Sequence, residues 1–195
     1  MKKLHLIRHG ATKEYERRLY YGATDVPLSE NGRALLQQYK ENGIYPSPEG
    51  CRFVTSGMLR TEETLKALYG EVPHEVEQGF LEMNFGKFEM KSYEELENDP
   101  EFRLWCAGDN MANVCPGGES GNQFAHRVRS ALKKRLPLKE DTIAVLHGGV
   151  IWAIMSELFI DYDRTIYEWQ PICGQGYTVE FENGIPTRYY PIEEK

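Results

Sequence analysis

The sequence contains no apolar run approaching the ~20 residues needed to span a bilayer, so no membrane-crossing helix is expected. Its start, MKKLHLIRHG, carries too short an apolar stretch, too quickly charged, for a secretory leader. Basic residues are the minority, 23 against 30 acidic, for a net charge of −7. That disfavours the broad cationic surface that nucleic acid or an anionic membrane would call for, but it leaves room for a local basic pocket around a small anion. Cysteine is sparse as well. Cys51, Cys106, Cys115 and Cys173 form no CxxC pair, which removes zinc ribbons and dithiol redox motifs and reads as free thiols in the cytoplasm. Repeats, low-complexity tracts and linkers are also missing, so the 195 residues read as one domain with enough chain to bury a core.

What is present is an alternation of strand and helix signals. Lys3 to Arg8 reads as a short buried strand closed by Gly10, and Arg52 to Thr55 and Thr142 to Leu146 read as two more. Residues 10–28 form a polar loop. Ser29 predicts the N-cap of a helix that stops at Gly43. SGMLRTEETLKALYG predicts a helix ending at Gly70, striped by Leu59, Leu65 and Leu68, with Arg60 near its first turn. Ser92 with Glu95 and Ser120 with Gln123 have capping-box spacing, and Pro137 closes the second of these helices. Gly148-Gly149 turn the chain into the helix VIWAIMSELF, and Asn183-Gly184 between two β-rich runs predicts a hairpin. The pattern implies an α/β fold, a mostly parallel sheet covered by helices on both faces. Such folds carry their site at the carboxyl ends of the strands, where Arg8, His9, Arg60 and His147 all fall.

Two arginines and two histidines on one sheet edge suit a phosphate. Guanidinium offers a planar fork of donors to phosphoryl oxygens, and the helix opening after His147 adds backbone N–H groups. A neutral imidazole beside two arginines is a competent nucleophile, because the neighbouring cations depress its pKa. A leaving alkoxide then calls for a nearby carboxylic acid. A metal between His9 and His147 is disfavoured: no HxxxH motif is present, and paired arginines would repel a cation. His5, His74 and His126 lack the strand-end setting and read as structural or exposed.

Arg8-His9-Gly10 after an N-terminal strand resembles the signature of the histidine phosphatase superfamily, the phosphoglycerate mutase-like enzymes. TDVPLSENG, SGMLRTEET, LEMNFGKFE, PGGES and LHGGV accompany it in the family's order. The resemblance implies a three-layer α/β/α sandwich with a mostly parallel central sheet. It also implies one histidine phosphatase domain over residues 1–195, with a lid-like insertion around 84–118. It makes His9 the nucleophile of a phosphohistidine intermediate, gives Arg8, Arg60 and His147 the phosphoryl oxygens, and makes Glu82 the general acid, with no metal and no cofactor. Glu89, seven residues on, is the rival carboxylate. Thr12 and Gly148 would line the pocket, Thr12 either as a hydroxyl donor to phosphate or as a cap of its own loop. The chain departs from the family twice. Tyr15 stands where many members have an asparagine phosphate ligand, and Met90 stands where many have glycine after the FGxxE block.

Phosphoglycerate mutases of this family carry extra residues around the substrate entrance that this chain lacks, which favours hydrolysis. EMNFGKFEM, followed by Trp105-Cys106 and GES, resembles the α-ribazole phosphatases of cobalamin biosynthesis. The expected partner is a small phosphorylated substrate. The aromatics Phe85, Phe88, Tyr93, Phe102 and Trp105 would either face that substrate or pack the lid onto the body. Broad-specificity phosphatase, mutase-type transferase and silent phosphate-binding protein are the alternatives.

Overall fold

A computed structural model describes residues 1–108, 111–160 and 166–194, with only the backbone given at 166 and 167. Residues 109 and 110 of the expected lid therefore fall outside the described residues. In chain order the elements are β1 Lys2–Arg8, α1 Lys13–Glu16, β2 Leu19–Tyr20, α2 Glu30–Glu41, β3 Cys51–Thr55, α3 Leu59–Tyr69, β4 Glu75–Val76 and β5 Lys91–Ser92. They continue with α4 Tyr93–Leu96, α5 Pro100–Cys106, α6 Gly121–Arg135, β6 Asp141–Leu146, α7 Gly148–Leu158, α8 Ile166–Trp169, β7 Gly176–Glu182 and β8 Ile185–Ile192.

The main sheet runs β4-β3-β6-β1-β7-β8. Its first four strands are parallel; β7 adds antiparallel to β1, and β8 adds antiparallel to β7. The strand pleat sorts side chains between two layers. Leu4 and Leu6 of β1, Val54, Ala144 and Leu146 pack against α6 and α7, while Ile7, Phe53, Ile143 and Val145 pack against α2 and α3. Both faces of the central strands are thus dry, which is why β6 reads as an unbroken apolar run. Each fully buried Leu or Ile there contributes ~1.5–3 kcal/mol. This is the expected three-layer α/β/α sandwich.

The predicted caps are in place. Ser29 accepts from Gly32 N–H at 2.9 Å, and Ser92 and Ser120 form reciprocal boxes with Glu95 and Gln123. Asn183 and Gly184, with φ of 52° and 81°, turn β7 into β8. Three local expectations are corrected. Residues 10–28 are not all loop: Thr12 caps α1, and Leu19–Tyr20 pair with Lys91–Ser92 as a small second sheet. Gly148-Gly149 form no turn but lie in the first turn of α7, which His147 caps. Helix α5 was not anticipated, although Asp99 before Pro100 is a cap followed by an N1 proline.

Candidate active site

Register alone brings the site together. Arg8 at the end of β1 pairs with Leu146 at the end of β6, so His9 and His147 emerge side by side. Their rings meet edge to face with centroids 5.2 Å apart. Thr55 ends β3 beside Val145, and Arg60 follows in the first turn of α3. A cavity of about 490 Å³ opens over these strand ends, lined by Arg8, His9, Arg60, Glu82, Gly148 and Gly149 among others.

His9 is buried, and its Nδ1 lies 2.7 Å from the Gly10 carbonyl oxygen. A carbonyl only accepts, so Nδ1 carries the hydrogen and Nε2 is the ring nitrogen with a free lone pair. Burial, then the charges of Arg60 and Arg8, hold the His9 pKa well below its ordinary value, so the ring is neutral. His147 is neutral for the same reasons, burial first and Arg60 next. Arg60 Nε donates to His147 Nδ1 at 3.2 Å, so its other nitrogen, Nε2, bears the hydrogen given to Ser56 Oγ at 2.8 Å.

The two arginines differ. Arg60 is fully buried, and one hydrogen on each terminal nitrogen reaches a carbonyl, that of Gly22 at 2.8 Å and that of Thr24 at 3.1 Å, leaving the other on each. Arg8 Nη1 donates to the Pro171 carbonyl at 2.8 Å, but its buried Nε has no hydrogen-bond partner. Such an orphan costs on the order of 1–3 kcal/mol unless a ligand satisfies it, and an oxyanion above the strand ends would do so. Tyr15, at the asparagine position, lies under Arg8 with the guanidinium carbon 5.1 Å from the ring centroid. It thus meets the arginine as an aromatic face.

Glu82 lines the cavity. Its Oε2 accepts from Gly149 N–H at 3.0 Å and its Oε1 from Met83 N–H at 2.9 Å. The two glycines opening α7 make room. A Cβ at Gly148 would sit 3.0 Å from the Arg8 guanidinium carbon, and one at Gly149 would sit 2.6 Å from Glu82 Oε1. Glu89 lines no part of this cavity; its carboxylate is saturated by the backbone of residues 22–24 and 85 and by the Thr24 hydroxyl. Hydrogen bonds to those groups hold its pKa below the usual carboxylate range against the opposing effect of burial.

Two expected pocket residues are engaged by the protein itself. Thr12 is fully buried and its hydroxyl accepts from Tyr15 N–H at 3.1 Å, capping α1. His147 is fully buried beside the His9 ring, with its two nitrogens bonded to Arg60 and Ser56. Sequence reasoning missed Arg127. From α6 it donates to the carbonyls of Gly79 and Leu81 and to Glu119, and so holds the short 3-10 turn at Gln78–Phe80 that leads to Glu82. Its only sequence signal was a cation eight residues after the glutamate of PGGES. Of the expected lid aromatics, Phe88 and Phe102 are buried with Leu96 and Cys115 and Trp105 packs against them, while Phe85 and Tyr93 reach the cavity. Among the described residues no group of three or more His, Cys, Asp or Glu side chains gathers as a metal site requires.

The family model of the histidine phosphatase superfamily, branch 1, matches residues 4–179. The adenosylcobalamin/alpha-ribazole phosphatase of Salmonella typhimurium is 27% identical over 192 residues, covering 95% of this chain and 93% of that protein. A Hydrogenobacter thermophilus protein with a provisional designation as phosphoserine phosphatase 2 is 29% identical over 171 residues, 81% of this chain and 79% of its own. The crystal structure of the alpha-ribazole phosphatase from Shigella flexneri superposes with a TM-score of 0.82 at 22% identity, over 95% of this chain and 93% of that one. The architecture, the strand-end cluster and the span of the family match agree: the chain belongs to the histidine phosphatase superfamily.

Proposed function

We propose that this phosphatase hydrolyses phosphomonoesters through a phosphohistidine on His9. One observation carries the reading: His9 Nδ1 is tied to the Gly10 carbonyl, so a neutral, unprotonated Nε2 stands beside Arg8 and Arg60. Nε2 attacks phosphorus, the ester P–O bond breaks, and Glu82 gives the departing oxygen its proton. Water then attacks the phosphohistidine with Glu82 taking its proton; the P–N bond breaks, phosphate leaves and His9 returns to its starting state. Arg8, with its unpartnered Nε, and Arg60 stabilise the charge on the transferring group. His147 keeps Arg60 Nε in place and packs against the His9 ring.

For the substrate, α-ribazole 5'-phosphate is the first choice. Tyr15, Tyr20, Tyr21, Phe85, Tyr93 and Trp152 surround the cavity, and aromatic walls suit a flat base by stacking. Arg18, a third cation in the wall, favours a second reading, in which the leaving group bears a carboxylate, as in phosphoserine or phosphoglycerate. The test is kcat/KM in EDTA over α-ribazole 5'-phosphate, phosphoserine, 3-phosphoglycerate with its bisphosphate, nucleotides and p-nitrophenyl phosphate, with His9→Ala as blank. A preference of about a hundredfold for α-ribazole 5'-phosphate, ~2.7 kcal/mol in the transition state, supports the first reading. A preference for the carboxylate-bearing esters that Arg18→Ala abolishes supports the second. A flat profile defeats both and leaves a broad-specificity phosphatase.

A further inference from the structure

Glu89 is a half-buried carboxylate with an unusually full set of donors. Oε1 accepts from the N–H groups of Gly22, Ala23 and Phe85, each at 3.0 Å. Oε2 accepts from Gly22 N–H at 3.1 Å, Thr24 N–H at 3.1 Å and the Thr24 hydroxyl at 2.6 Å. Three successive backbone N–H groups, Gly22 to Thr24, therefore point at one carboxylate more than sixty residues away in sequence.

The same three residues turn their opposite side to the active site. The carbonyls of Gly22 and Thr24 are the acceptors for the two terminal nitrogens of Arg60, whose Nε is held by His147. The turn has little freedom to deliver those carbonyls otherwise. A Cβ at Gly22 would lie 1.7 Å from the Met83 carbonyl oxygen, so this backbone runs directly against that of the residue after Glu82. Asp25 Oδ1 accepts from Leu59 N–H at 2.8 Å and ties the far end of the turn to the start of the Arg60 helix.

We infer that Glu89 is a positioning residue for catalysis: it fixes the 22–24 turn so that the Gly22 and Thr24 carbonyls aim the Arg60 guanidinium at the transferring phosphoryl group. The carboxylate draws on the N–H side of three peptides, and the guanidinium on the carbonyl side of one of them, Gly22–Ala23, and of the Thr24–Asp25 peptide that ends the same turn, so the turn carries one charge's constraint to the other. An amide cannot replace this carboxylate. A glutamine would turn an NH2 group toward donors on one of its two sides, whichever way it is flipped. The inference rests on the reading of Arg60 as a phosphoryl ligand.

The test combines Glu89→Gln, Arg60→Ala and the double variant, measuring kcat/KM for p-nitrophenyl phosphate and the inhibition constant of inorganic phosphate. Misplacement of a reacting group by about 1 Å costs on the order of a hundredfold, so Glu89→Gln should lower kcat/KM by ten- to a hundredfold and weaken phosphate by a similar factor. In the Arg60→Ala chain the same change should cost less than about threefold, because the group it positions is gone. Thr24→Val removes one of the six contacts, keeps the carboxylate, and should give a smaller loss in the same direction; it serves where Glu89→Gln folds poorly. An undiminished loss at Glu89→Gln in the Arg60→Ala chain, or full activity and phosphate affinity in both Glu89→Gln and Thr24→Val, overturns the proposal. Unchanged phosphate affinity in Arg60→Ala defeats the reading of Arg60 itself, and the proposal with it.

Discussion

Gly149→Ala adds one methyl group to a protein of 195 residues, at the point where α7 meets the acid. The new Cβ would stand 2.6 Å from Glu82 Oε1, and ordinary contact begins at 3.4 Å, so the carboxylate must retreat by about 0.8 Å or turn away. It also meets Phe124 at 3.2 Å, which closes the alternative of moving the methyl inward. Displacements of about 1 Å cost on the order of a hundredfold in rate, so kcat/KM should fall ten- to a hundredfold, about 1.4–2.7 kcal/mol. Replacing a helical glycine by alanine returns roughly 0.5–1 kcal/mol of helix stability, which offsets part of the steric push, so Tm should stay within a few degrees of the parent. The assay compares an alkyl phosphate, whose alkoxide needs a proton, with p-nitrophenyl phosphate, whose leaving group does not. Because kcat/KM reports the step up to cleavage of the ester, the loss should be concentrated in the alkyl ester. Equal losses on both esters, or none on either, would refute the placement of Glu82 as leaving-group acid.

Further expectations concern stability. Met90 adopts φ of 63°, in the left-handed region where a side chain costs roughly 1–2 kcal/mol. Met90→Gly should therefore raise the unfolding free energy from urea titration by up to about 1 kcal/mol once the entropy of the added glycine is deducted, and a clear loss of stability would contradict the backbone strain. His5, buried in β1 with Nδ1 2.8 Å from Thr178 Oγ1, has its pKa pushed down to about 4, mainly by burial. The unfolded chain takes up this proton near pH 6.5 and the folded one only near 4, so the His5 contribution to stability should decline as pH falls between those values and flatten below, by about 3 kcal/mol at most, on top of same-sign contributions from His9 and His147. His5→Leu should lessen that slope by the His5 share in urea titrations; a slope unchanged by the substitution would contradict the assignment. NMR titration of the ring protons should find His9 and His147 neutral throughout the window near pH 6.5, and a midpoint there for either ring would contradict their burial between arginines.

Much of this fold was legible because its signals are local. Ser29, Ser92 and Ser120 satisfy N–H groups three residues ahead, and the apolar run of β6 reports a strand covered on both faces. Arg8, His9 and Arg60 were legible for a topological reason: parallel strands end on one edge, so residues that follow them converge whatever their separation in sequence. The remainder depended on distances that no spacing encodes. Glu82 and Glu89 are both acids in one short motif, and only their donors separate them. One shares the cavity with the α7 N-terminus, and the other is spent on the 22–24 turn. Thr12 could cap or bind by residue type alone, and only the fold shows its hydroxyl capping α1. Gly148-Gly149 suggested a turn by composition, whereas the absence of side chains there serves Arg8 and Glu82 rather than the backbone.

The most direct test of the account is a rapid acid-free quench of the protein turning over a phosphate-labelled ester, followed by mapping of the label. One labelled phosphoryl group per chain is expected in the burst, stable to base and labile to acid as a phosphoramidate is, located on His9 and absent from His9→Ala. No covalent label, or an acid-stable one on any other residue, would contradict it.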